Sequence, residues 1–162
     1  MWKKVFRSKG KRRRGSEIIE ISLLLVPFFG LTFLMLDISL AQWVRSTLQN
    51  AVRSGVRYAI TGNNDTGPCQ DDSIKFVVKS NDLGLLNSAT NTQTLHVHFI
   101  NPVDGSVTDN SFGNVVEVSV EAYPWNPLAA YGHSKTQVLM WARAYDMMEK
   151  TPGNPPCITK SE

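Results

Sequence analysis

AQWVRSTLQNAVRSGVRYAI, residues 41–60, is the stretch whose reading decides the fold. Ala41, Val44, Leu48, Ala51, Val52, Gly55 and Ala59 recur at three- and four-residue spacing. Gln42, Arg45, Gln49, Asn50, Arg53 and Arg57 fall largely between them. That periodicity predicts a helix with one apolar face. A single apolar face needs a cover, and the rest of the chain is the obvious candidate.

Upstream, the pattern changes without a break. Residues 18–36 are mostly Ile, Leu, Val, Phe and Met, interrupted by Glu20, Ser22, Pro27, Gly30 and Thr32. Residues 18–40 as a helix span about 34 Å, enough to cross a bilayer core of about 30 Å with some tilt. Pro27 removes one backbone donor and should bend this helix without ending it. Trp43 falls where the helix would leave the lipid, a usual place for tryptophan. The run GNNDTGP, residues 62–68, stops it. One helix over residues 16–61 is therefore expected, apolar all round in its first half and one-faced in its second.

Charge is unevenly distributed. The chain has 17 basic and 14 acidic residues, and eight of the basic ones lie within residues 1–14. From Ser16 onward, nine basic residues face all 14 acidic ones, a formal charge of −5. The basic character belongs to the leader, so the domain offers no basic face for nucleic acid. Beside a membrane span, a basic tail reads as a topology signal that keeps the N-terminus cytoplasmic and places the downstream domain outside.

Beyond the long helix, residues 71–86 read as a second helix, with Asp71 and Asp72 at its start and Ile74, Val77, Val78 and Leu83 on one face. Three strand patterns come after it. In residues 94–100, Leu95, Val97 and Phe99 alternate with His96 and His98. In residues 115–123, Val116, Val118, Val120 and Ala122 alternate with Glu117, Ser119 and Glu121, and PWNP at 124–127 breaks the pattern. Residues 136–146 are compatible with strand or helix; strand is favoured because Val138, Met140, Ala142 and Ala144 alternate with Leu139, Trp141, Arg143 and Tyr145. The expected fold is α+β: a long N-terminal helix packed on a small antiparallel sheet. The expected organisation is a basic leader at 1–15, a transmembrane and amphipathic assembly helix at 16–61, and an extracytoplasmic α+β domain at 62–162.

The residues at the foot of the span carry the functional signal. The basic leader ends in Arg14-Gly15, and Ser16, Glu17, Ile18, Ile19 and Glu20 open the apolar run. Cleavage after Gly15 makes Glu20 the fifth residue of the mature chain. This resembles the type IV prepilin signal, in which a membrane aspartyl protease cuts on the cytoplasmic side and the apolar helix is retained. A carboxylate at mid-bilayer costs up to about 2.5–3.5 kcal/mol. In a staggered stack of parallel helices, the new ammonium of Ser16 can meet Glu20 of a neighbour, so that Glu20 sets the register between subunits. Competing readings are an ordinary Arg-Gly at the foot of a signal anchor, a Glu20 that snorkels to the headgroups even in a cleaved chain, and a conventional signal peptide cut before Gln42.

The match extends further. RGSEIIEISLLLVPFFGL followed by WVRSTLQNAVRSGVRYAITG, residues 43–62, resembles the TadE/TadF-like pseudopilin family of the tight-adherence (Tad/Flp, type IVc) pilus. Leu48, Gln49, Asn50, Ala51, Arg53, Gly55, Arg57, Tyr58, Ala59 and Gly62 stand at matching places, downstream of the Pro27-interrupted span. Asp37, Val52 and Val56 depart from the family pattern. The resemblance implies a minor, pilin-like subunit of the bacterial inner membrane, single-pass with its C-terminal domain outside. It implies a prepilin peptidase as processing partner, with other pilin and pseudopilin subunits, the Tad inner-membrane machinery and the lipid bilayer as assembly partners. It implies no catalysis and no cofactor. An unprocessed, signal-anchored periplasmic binding or scaffold protein is the alternative.

Other residues invite chemical readings that the pattern does not favour. Cys69 and Cys157, the only two cysteines, suit a disulfide in an exported domain; two free thiols remain the other possibility. His96 and His98 share a strand face without a third metal ligand nearby in sequence, so no metal site is expected. Glu117 and Glu121 fit a polar outer face better than a pair of catalytic carboxylates.

Overall fold

The computed structural model describes residues 14–63, 69–86, 94–128 and 137–153. They form two helices and three strands: α1 (Arg14–Ile60), α2 (Gln70–Asn81), β1 (Leu95–Ile100), β2 (Val115–Trp125) and β3 (Val138–Met147). The strands make one antiparallel sheet in the order β1-β2-β3. The arrangement is the expected α+β one, a long N-terminal helix packed on a three-stranded sheet.

At 47 residues, α1 is about 70 Å long. It passes through Pro27 without ending and stops where Gly62 turns into the left-handed region at φ +69°. There the Gly62 N–H donates to the Ala59 carbonyl at 3.0 Å. The predicted apolar face is the one that packs: Val44, Leu48, Ala51, Val52, Val56 and Ala59 are buried, with Ala41 half-buried. Arg45, Asn50, Arg53 and Arg57 point to solvent. The helix lies on β2 and β3, and α2 fills the corner between α1 and β1.

Sheet register explains the two faces. Leu95 stands opposite Val120, which stands opposite Ala142; Val97, Val118 and Ala144 form the next row. These side chains face the helices, and Phe99 and Val116 extend the same core. The turn at NPVDG, residues 101–105, closes through the Gly105 N–H donating to the Asn101 carbonyl at 2.9 Å. In that turn the Ser106 N–H and hydroxyl donate to the Asp104 carboxylate at 3.0 and 2.7 Å. These bonds hold Asp104 below its ordinary pKa.

Three expectations need correction. The second helix ends at Asn81, not near residue 86. The Asp82 carboxylate accepts the N–H groups of Gly84 and Leu86 at 2.7 and 2.6 Å, closing a turn that competes with helix continuation. Leu83 consequently sits at φ +56° and is 73% exposed, and Leu86 takes the buried place expected of it. Second, β2 continues through Pro124 and Trp125 instead of breaking there. Third, the register shifts between Val120 and Tyr123, with Ala122 at φ +52°. This bulge turns Ala122 outward and puts Tyr123 into the core. Strict alternation placed Ala122 inside.

β3 and α1 run in the same direction. Val138, Leu139 and Trp141 line a groove with Ala41, Gln42 and Arg45. Further along, Gln49 Nε2 donates to the Arg143 carbonyl at 2.9 Å. At the far end the Glu149 N–H donates to the Ile60 carbonyl at 3.3 Å. The start of β3 is therefore the end of the sheet nearest the apolar half of α1.

Candidate functional site

The candidate site is α1 itself, which has two halves of opposite character. From Ile18 to Leu40 the large apolar side chains are exposed, from 39% at Leu40 to 72% at Val26. A continuous patch of that size on a protein marks a contact with lipid or with partner protein. The segment is long and apolar enough to cross a membrane, which makes it a candidate membrane anchor. Its few hydroxyls are satisfied on the helix's own carbonyls: Ser22 on Ile19, Thr32 on Phe28 and Ser39 on Met35, at 2.8, 2.9 and 2.8 Å. None of the three has to find water, as a lipid-facing segment requires.

The residues shared with the pseudopilin pattern divide by task. Leu48 and Ala51 are fully buried in the core. Gln49 ties α1 to β3 through the Arg143 carbonyl. Gly55 lies against α2: a Cβ there would collide with the Val78 Cγ2 methyl and touch Ile74. The glycine is needed for close helix approach and not for a special backbone angle. Tyr58 packs on the edge of the core. Arg53 and Arg57 are exposed and flank an open groove of about 600 Å³ with Arg143 and Asp146 on its other side. Pro27 and Glu20 are exposed on the apolar half. Gly15 and Ser16 lie in the first turn of α1.

Two buried polar residues were missed in the sequence. Asp37 is only 6% exposed, although its neighbours Leu36 and Ile38 are about half exposed. Its Oδ1 accepts the Leu128 N–H at 2.6 Å, so the chain leaving β2 is fastened to the apolar half of the helix. The available signal was a lone carboxylate one turn before the amphipathic half begins; such a charge needs a partner. Gln70 is fully buried. Its Nε2 donates to the Ala59 carbonyl at 3.1 Å and its Oε1 accepts from Asn110 Nδ2 at 2.9 Å. It joins the end of α1, the start of α2 and the loop before β2. Nothing in the local sequence marks it.

The outer face of the sheet carries the residues that invited chemical readings. Arg143 pairs with Glu117 at 3.1 Å and with Glu121 at 3.3 Å, so both carboxylates are engaged in a cross-strand ion pair. The His96 and His98 rings stack 6.1 Å apart, 4° from parallel. Among the described residues no group of three or more His, Cys, Asp or Glu is placed to hold a metal ion. Cys69, at the N-cap of α2, is disulfide-bonded; Cys157 lies outside the described residues.

Residues 15–57 match the family model described as TadE-like protein, the family that the sequence resembles. The matched segment is nearly the whole of α1 and none of the sheet. No curated protein and no solved structure matches the chain.

Proposed function

We propose that this TadE-like chain is a minor, pilin-like subunit needed for assembly of a Tad/Flp-type pilus. A prepilin peptidase processes it after Gly15, and it is held in the bacterial inner membrane with its sheet outside. The observation that carries this reading is the coincidence of the family match over residues 15–57 with a single helix of two characters. One half of that helix is exposed and apolar and the other is built into the domain. The same division of labour lets a pilin helix pack laterally on its neighbours while its head group stays folded.

Gly15 and Ser16 lie at the start of the described part of α1. Glu20 lies one turn further. Between Glu20 and Asp37 the helix carries no charge, a length of about 25 Å, so the two carboxylates bracket the hydrocarbon. Asp37 is satisfied within the chain, whereas Glu20 is exposed and available to the Ser16 ammonium of a neighbouring subunit. The Asp37–Leu128 bond crosses position 41, which speaks for retention of the helix and against a cut before Gln42.

Sequencing the N-terminus of the protein isolated from producing cells tests the proposal. Ser16 is the expected first residue. Met1 would favour the unprocessed, signal-anchored scaffold, and Gln42 a secreted form. Gly15→Leu should leave the leader attached.

A further inference from the structure

The apolar half of α1 is not the only apolar surface at that end of the molecule. Leu128, Val138, Leu139 and Trp141 are 48%, 45%, 44% and 60% exposed, and Trp43 on the helix is 51% exposed. Ordinary domain surfaces scatter such residues singly. Here they share one level. Leu128 is held at Asp37 by its backbone hydrogen bond, and Val138, Leu139 and Trp141 flank the groove whose other wall is Ala41, Gln42 and Arg45. From Asp37 to Trp43 the helix rises about 9 Å, close to the thickness of one headgroup layer, about 5–8 Å.

We propose that this end of the sheet is a lipid-contacting site, with Leu128, Val138, Leu139 and Trp141 seated beside Trp43 in the outer headgroup layer of the bilayer. The inference rests on the reading that the first half of α1 lies in lipid. The occupant is the bilayer because, among the described residues, the patch is continuous with the exposed apolar surface of α1: Leu36, Ile38 and Leu40 lead directly to it. Its chemistry is interfacial, since tryptophan and leucine flank an exposed arginine, Arg45, suited to lipid phosphate. Charge returns further along, at Arg143, Asp146, Glu149 and Lys150. Asp37 then has a second purpose. Buried and hydrogen-bonded, it holds Leu128 at the level of the membrane surface without exposing a carboxylate to lipid. Anchored at the helix and at the sheet rim, the domain has a fixed tilt relative to the bilayer, as a subunit awaiting lateral assembly requires.

The experiment uses the full chain in vesicles of phosphatidylethanolamine and phosphatidylglycerol, unlabelled, with acyl chains brominated near the headgroup for positions 141 and 145, or brominated near the methyl end for position 29. Three single-tryptophan proteins are compared, the other tryptophans being replaced by phenylalanine. One keeps Trp141, one carries Tyr145→Trp and one carries Phe29→Trp. Position 145 lies about 13 Å further along the same strand and is 72% exposed. Circular dichroism and resistance of the cysteines to alkylation confirm that each is folded. Trp141 should emit at shorter wavelength and lose most of its intensity to brominated lipid, while tryptophan at 145 keeps most of its own. Quenching at position 29 with none at 141 overturns the rim contact and leaves the membrane span intact. A blue-shifted but unquenched Trp141 assigns the patch to a second copy and also overturns it. Equal quenching at 141 and 145 would put the whole outer face on lipid and overturn the rim. Absence of quenching at 29 removes the span, and this site with it.

Discussion

Single buried polar groups join the parts of this molecule. Gln70 satisfies the last turn of α1 and the loop before β2 at once. Gln70→Leu keeps the volume and removes both bonds, so the detergent-solubilised chain should lose about 1–3 kcal/mol of stability, read from its denaturant midpoint. Tyr123 shows the same interior from another side. Burial, and secondarily the Asp82 charge, raise its phenol above the ordinary 10.0. The unfolded chain therefore gives up this proton first. The stability contributed is intact below pH 10.0 and is lost as pH rises from there through the folded value. In an ultraviolet titration, Tyr123→Phe should remove a tyrosine that ionises above pH 10.0.

At the scale of elements, α1 and α2 meet over Gly55 because a hydrogen is all that fits against Val78. Two effects oppose each other in Gly55→Ala. Helix propensity favours alanine by about 1 kcal/mol, and overpacking costs about 1–3 kcal/mol. Val78 is β-branched and has little room to turn aside, so the variant should be modestly less stable. Gly55→Leu should separate the helices outright and expose Ile74 and Val78, seen as faster limited proteolysis after α1. The strands were legible for a simple reason: a two-period pattern on a sheet with one covered face survives in the sequence. The bulge at Ala122 was not, because a positive φ at alanine is imposed by the need to bring Tyr123 inward and has no local signature. The early end of α2 was partly legible. Asp82 followed by Leu83-Gly84 is a turn-forming sequence, outweighed in the reading by the apolar spacing of Leu83.

The whole molecule is a helix with a small domain clasped to its second half. Cys69 is disulfide-bonded at the start of α2, and the chain has one other cysteine. A peptide joining Cys69 to Cys157 is expected in a non-reducing digest. Cys69→Ser should cost about 2–5 kcal/mol, measured against the disulfide-bonded parent protein. In cells, Glu20→Ala should be cleaved to the same mature N-terminus as the parent chain but assemble poorly. Normal pilus production by that variant would make Glu20 a bystander. By itself the sequence determined the long helix, its change from an all-round apolar segment to one apolar face, and the sheet that covers that face. All of these are periodic or contiguous, and periodicity reports which side of an element meets water. Only the tertiary structure decided where the domain is fastened, through Asp37 to Leu128, Gln49 to Arg143 and Gln70 to Ala59. Each of the three pairs a side chain with a distant backbone group, and a backbone group is the same at every residue, so it leaves no trace in the sequence.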